Sequence, residues 1–445
     1  MILCLVLTFA LAAFLTACRE DAWETGAEKA AGSEGKVFNI CCWNEEFRCR
    51  IADHYPGYEE VDANTGRIGD VAIKWIITPN QDDAYQKFLD ESLLKQADAT
   101  ADDKIDIFLT ESDYALKYVD TEFTAPLSRV GVTAADLPDQ YKYTQDAVTD
   151  SSGNLKGASW QSFPAVMIYN REIAKDVLGT DDPEQVQKAV KDWDTFNKTS
   201  EKVRAGGYKM TSTVNDTYRV YSNNVSSKWV VDGKVHIDPN MDKWVDDSKA
   251  LVDAGLTGTQ DLWSDEWAKG FYPEGKVFCY FGSAWFINLA MAPDKEGSIA
   301  HDGGWGAVTG PQSFFWGGSW ICAAEGTDNP ELIKDIILKM TADKDILKAI
   351  VTDDHDFVNN RPLMEEFAAD PGYGDSALGG QNPIPLFCSG ADTIDLSNLS
   401  YYDQGCNEEF QHAMKNYFEG NATKEEAVDL FYKAVKKRYP ELTTD

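Results

Sequence analysis

Four polar residues stand just after short apolar runs that read as strands. Asn44 and Glu45 follow Phe38-Asn39-Ile40-Cys41-Cys42, and Glu111 and Asp113 follow Asp106-Ile107-Phe108-Leu109. Amides and carboxylates placed there orient hydroxyl groups, each of which both donates and accepts a hydrogen bond. Trp160, Trp285, Trp316, Tyr401 and Tyr402 fall in loops or crossovers, where indole and phenol rings offer rigid area to apolar C–H faces. Trp285 follows Gly282-Ser283-Ala284, small residues that let a backbone approach a ligand closely. Asn360, ahead of Arg361-Pro362, is a further polar candidate. With 13 tryptophans in the chain most must be structural, and Trp75 and Trp193 are expected in the core. Glu46 is expected in solvent or in an ion pair.

Nothing in the chain spells a catalytic motif. It has no Gly-x-Ser-x-Gly elbow, phosphate loop or metal-binding histidine pair. Its five histidines are scattered, and no Cys-x-x-Cys or Cys/His spacing suggests zinc. Asp181-Asp182 and Asp353-Asp354 lack the spaced loop that calcium needs. No metal or cofactor is expected. Beyond Cys4 and Cys18 lie seven cysteines, an odd number that cannot all pair within one molecule, so most are expected as buried thiols.

The elements that must hold the candidates are legible from hydrophobic period. Strands are predicted from Val37, over Val71–Ile77, over Asp106–Leu109, over Val166–Tyr169 and over Lys276–Tyr280. Helical spacing runs from Tyr85 to Lys95. Strands separated by helices indicate a parallel α/β sheet. Asn329-Pro330 starts a helix, with Asn as cap and Pro at its first position, and Thr423 with Glu426 forms a capping box for the last one. In open α/β sheets, ligands bind beyond the carboxyl ends of the strands, which is where the polar quartet stands.

Met1 to Ala17 carries no charge, and Arg19 begins a charged segment. The run is shorter than the roughly 20 apolar residues a bilayer span requires, so it reads as a signal h-region. Leu15-Thr16-Ala17-Cys18 resembles the bacterial lipobox. That resemblance implies cleavage before Cys18, its acylation, and an extracytoplasmic protein touching the outer face of the membrane only through that lipid. Residues 18–36, rich in Glu, Ala and Gly, read as a flexible tether. Residues 18–445 are too many for one ordinary core and suit two lobes. The net charge of −33 disfavours nucleic acid and anionic lipid and favours a neutral or cationic ligand.

Five segments, taken in order, resemble the extracellular solute-binding lipoproteins of carbohydrate ABC importers, the family 1 proteins akin to maltodextrin- and multiple-sugar-binding proteins. They are Phe38–Phe47, Asp106–Asp113, Gly157–Asn170, Asp192–Phe196, and Gly275–Trp285 with Gly317-Gly318. The third is similar to the family's Gly-x-Pro…Tyr-Asn stretch, although Ser162-Phe163-Pro164 lacks the leading Gly. The resemblance implies an α/β, two-lobe periplasmic-binding-protein-like fold of type II, each lobe a sheet flanked by helices and joined by hinge crossovers. It places residues 37–163 with 318–357 in an N-lobe, and 164–317 with 358–445 in a C-lobe. It adds Gln161 and Gly317 to the candidates. It also implies a monomer, not an enzyme, that closes on a mono- or oligosaccharide and delivers it to an ABC permease. A secreted glycoside hydrolase, or a binding protein for peptides or polyamines, would share the export signal and the acid and aromatic residues.

Overall fold

The computed structural model describes residues 35–80 and 83–444. The signal segment, Cys18 and nearly all of the tether lie outside the described residues.

The described residues build two main sheets and a separate two-stranded hairpin. The first contains β1 (Val37–Cys42), β2 (Tyr58–Asp62), β3 (Thr65–Ile68), β4 (Val71–Ile77), β5 (Ile105–Glu111) and β6 (Gly157–Ala158). The second is built on β7 (Pro164–Asn170). A small hairpin, β8 (Val230–Val231) and β9 (Lys234–Val235), precedes β10 (Cys279–Ser283), β11 (Trp305–Val308) and β12 (Phe314–Phe315), which all pair antiparallel with β7. The chain then returns to the first sheet as β13 (Ser319–Ala323), giving that sheet the order β2-β3-β4-β1-β5-β13-β6. Only β4, β1 and β5 run parallel; β13 lies antiparallel between β5 and β6. β1 is a nearly continuous buried run, as a parallel strand covered on both faces must be. β7 is buried along its whole length and admits Pro164 because it opens the strand.

The expected strand over Lys276–Tyr280 is displaced to Cys279–Ser283. Lys276 takes a left-handed turn at φ 55°, so the chain only becomes extended further on, and Gly282 and Ser283 complete the pairing opposite Val166 and Ala165. The helix Pro330–Ala342 begins at Asn329, but the Asn329 amide does not cap it. It donates instead to Oδ1 of Asp106 at 3.1 Å, where Thr327 also donates at 2.6 Å. Burial pushes the Asp106 carboxyl up to about 6. Thr423 and Glu426 form the reciprocal capping box of the helix Lys424–Arg438. All seven described cysteines are free thiols.

The chain passes between the sheets at three places. Residues 159–163 lead from β6 to β7, and residues 316–318 lead from β12 to β13. Residues 357–360 run beside the first passage: Ser162 N donates to Phe357 O at 2.9 Å, and Asn359 N donates to Trp160 O at 2.8 Å. Glycine is required at the second passage. Gly318 has φ 104°, and a Cβ there would sit 2.4 Å from the Phe163 ring; Gly317 has φ 82°, and its Cβ would sit 3.0 Å from the Trp285 indole nitrogen.

Candidate functional site

The parallel strands β4, β1 and β5 end on one side of the first sheet, and the residues that follow face a cavity of about 450 Å³. That volume lies within the range of small-molecule sites. β1 delivers Trp43, Asn44 and Glu46; β4 delivers Asn80; β5 ends in Glu111; the first passage adds Gln161. Opposite them stand three indoles, Trp263, Trp285 and Trp316, with Gly317, Gly318 and Ser319 at the back.

Glu46 opens the helix Glu46–His54, and its carboxylate accepts from Gln161 Nε2 at 2.9 Å. Burial pushes its carboxyl up, Asp356 adds to the shift and Arg50 opposes it. Glu111 accepts from Ser112 Oγ at 3.0 Å and from the Asp113 backbone at 2.8 Å. Its carboxyl is also raised, first by burial and then by Asp113, against the pull of Arg219. Both acids therefore hold a proton more readily than a solvated glutamate, so either can donate to or accept from a ligand hydroxyl. Asn80 lines the cavity, while its Oδ1 atom is buried without a hydrogen-bond partner.

The aromatic wall is held from behind. The Trp285 indole donates to Trp316 O at 3.2 Å, and the two rings meet edge to face at 5.4 Å. Trp263 lies 6.3 Å from Trp285 with its plane inclined by only 26°. It is 58% exposed, more than any other described tryptophan, yet its backbone sits at φ 68°. It occupies the turn Asp261–Ser264, closed by Ser264 N donating to Asp261 O at 3.3 Å. A left-handed conformation costs a bulky residue about 1–2 kcal/mol. The turn is fixed from below, where Ser264 caps the helix Asp265–Ala268 and Trp267 packs edge-on to Trp263 at 5.2 Å. Trp267 in turn donates to the buried Asp216 at 2.8 Å.

The structure brings Asn44, Glu111, Gln161, Trp285, Trp316 and Gly317 of the sequence candidates together here, and sends the others elsewhere. Trp160 is fully buried, stacked on Phe47 at 5.2 Å. The cause is the two-residue period of an extended segment: with Gln161 turned to the cavity, its neighbour must face the core. Glu45 is exposed and paired with Arg48 at 3.2 Å, while Glu46, expected in solvent or an ion pair, takes the inward position. Asp113 is gripped at both oxygens by Arg219, at 2.6 Å on one of them, beside a separate space of about 40 Å³, too small for a sugar. Asn360 is a helix cap, accepting from Leu363 N at 3.0 Å. Tyr401 and Tyr402 pack edge-on with each other and against Tyr439, where the helix Asp403–Phe418 begins.

Trp43, Glu46, Asn80, Trp263, Gly318 and Ser319 were not among the sequence candidates. Asn80 and Trp43 follow predicted strands, so the strand-end rule could have found them. Trp263 sits in a turn with no periodic signal. Among the described residues no group of three or more His, Cys, Asp or Glu side chains could hold a metal ion.

A family model described as bacterial extracellular solute-binding protein matches residues 69–376. No curated protein sequence matches the chain. Among solved structures, an extracellular solute-binding protein of family 1 aligns with a TM-score of 0.70 at 18% identity, covering 90% of this chain and 99% of its own. An ABC-transporter-associated binding protein from B. animalis subsp. lactis, in complex with β-1,6-galactobiose, aligns with a TM-score of 0.68 at 17% identity, covering 93% of this chain and 100% of its own. The galacto-N-biose/lacto-N-biose I-binding protein from Bifidobacterium longum, in complex with lacto-N-biose, aligns at 0.65 and 12% identity, covering 92% and 98%. At these identities the likeness is one of fold.

Proposed function

Because the chain belongs to the bacterial extracellular solute-binding proteins, we propose that it captures an extracellular saccharide in the cavity between its two sheets and hands it to the permease of an ABC importer. One observation carries this reading. Three indoles face a set of amides and carboxylates at the carboxyl ends of parallel strands, and among the described residues no lysine or arginine lines the cavity. Indoles suit the C–H faces of a sugar ring, and the polar set suits its hydroxyls. The relatives solved with galactobiose and lacto-N-biose support the same ligand class.

Binding works by hinge closure. The chain crosses at 159–163, 316–318 and 357–360, so the units built on the two sheets rotate about these passages. The saccharide favours the closed arrangement because only there does it touch both the polar and the aromatic wall, and the permease reads that closed surface. We place residues 37–163 with 318–357 in one lobe and residues 164–317 with 358–445 in the other. Cys18 carries the lipid anchor, and the protein acts as a monomer without catalysis.

Calorimetry against neutral mono- and oligosaccharides tests the function, with chromatography of the recovered ligand. Binding with the sugar returned intact is expected. Steady cleavage that disappears in Glu111→Gln would replace this reading with a glycoside hydrolase, and binding confined to polyamines or peptides would replace it with a carrier of those cations. For the anchor, Cys18→Ala should shift the protein from the membrane fraction to the medium or to uncleaved precursor; a variant that stays processed and anchored rules the lipid out.

A further inference from the structure

Trp263 borders two cavities. Besides the one described above, it lines a second of about 350 Å³, walled by Asn215, Thr259, Asp261, Gln411, His412 and Lys415. This volume too is within the range of small-molecule sites. The helix Asp403–Phe418 presents Gln411 and Lys415 one turn apart on a single face, across from the turn that carries Trp263. Lys415 pairs with Asp261 at 2.8 Å, and Glu408, which also lines this cavity, pairs with Arg438 at 2.6 Å, so each charge in the wall has a partner. Gln411 uses its amide nitrogen on Asn407 O at 3.0 Å, which leaves its carbonyl oxygen to accept. His412 is exposed at the same edge and can donate or accept through its ring nitrogens. The second cavity therefore offers hydrogen bonds of both senses beside an exposed aromatic ring. That chemistry suits a neutral polyhydroxylated unit and gives a simple anion or cation no dominant charge to bind.

We infer that the ligand is an oligosaccharide that runs past Trp263, with one end in the cavity of Trp263, Trp285 and Trp316 and a following unit in the cavity of Gln411, His412 and Lys415. This rests on the saccharide reading above and adds chain length to it. The arrangement gives Trp263 a reason for standing exposed in a left-handed turn, where its ring borders both cavities.

The test uses purified full-length protein and ladders of α-1,4-, β-1,4- and β-1,6-linked hexoses of one to five units. Titration calorimetry is run on wild type, on Gln411→Ala/His412→Ala, and on Trp285→Ala. In at least one ladder, wild-type affinity should rise tenfold or more once the chain is long enough to pass Trp263. The double variant should lose that gain while keeping the affinity for the short member within about twofold, and Trp285→Ala should weaken both. Gln411 and His412 lie on the surface side of their helix, so the melting temperature should hold; if it falls, the two single variants carry the comparison. No gain with length, or a gain that survives the double variant, overturns the inference and leaves the saccharide reading standing. Failure of every ladder to bind overturns the saccharide reading itself.

Discussion

The two walls of the cavity are made by different means. The polar wall hangs on strand ends: Asn44, Asn80 and Glu111 each follow or finish one of three parallel neighbours, so hydrogen-bonded register sets their spacing. The aromatic wall has no such scaffold. Trp263 comes from a turn, Trp285 from the end of β10 and Trp316 from a passage between sheets, and what aligns them is contact with one another and with Phe286 and Trp267. A wall built on register tolerates a changed side chain, because the backbone keeps its place. A wall built on mutual contact depends on every member and on the glycines that let them meet.

The sharpest break in the comparison is between neighbours in kind, Trp160 and Trp285. Trp160→Ala should cost about 3–5 kcal/mol of stability, because it empties a buried site against Phe47. Trp285→Ala should cost less stability and weaken saccharide binding roughly tenfold, the equivalent of about 1.4 kcal/mol. Melting temperature and affinity measured on both variants decide it; an affinity loss in the Trp160 variant at full folding would put that ring back in the site.

Gly318→Ala probes the passage. Its φ of 104° and the 2.4 Å approach to Phe163 both oppose a side chain, so a loss of about 3 kcal/mol is expected. Affinity should fall with it, because the same backbone carries Trp316. A denaturation midpoint equal to wild type would show that the passage is slack.

The acid beneath the aromatic wall answers to pH. Burial pushes Asp216 up to about 7 from an ordinary 3.8. Between those values the folded protein keeps a proton that the unfolded chain releases. The stability contributed by this group is therefore present below about pH 4 and is lost as pH rises toward 7, by on the order of 1.4 kcal/mol per pH unit at most. Asp216→Asn should remove that decline, whatever its effect at low pH, and melting curves from pH 4 to 7 on variant and wild type read the difference in slope. Parallel slopes would show that Asp216 is ionised in the folded protein.

The smallest effect is expected on the polar wall. Asn80→Ala removes an amide that lines the cavity just beyond the end of β4. It should weaken saccharide binding about fivefold, near 1 kcal/mol, with no change in melting temperature. A large loss of stability instead would mean that Asn80 shapes the loop.

What was readable in advance follows the same division. β1, β4, β5, the helix Ala84–Leu93 and the capping box at Thr423 are local: period and cap chemistry act within a few residues, so the chain alone determines them. Asn44 and Glu111 were accessible for that reason. Tertiary structure alone decided the rest. Asn329 occupies a cap position, yet the buried Asp106 carboxylate claims its amide. Glu45 and Glu46 are chemically alike, and only the direction of entry into the helix Glu46–His54 turns one to the cavity and the other to Arg48. Of the two candidates Trp160 and Gln161, only Gln161 reaches the cavity, because pairing with residues 357–359, nearly two hundred positions away, decides which of them turns to the core. Trp263 owes its exposure to a turn that Ser264 and Trp267 hold. Local propensity acts through near neighbours; which face of a segment meets a ligand depends on partners distant in the chain, and those meet only when it folds.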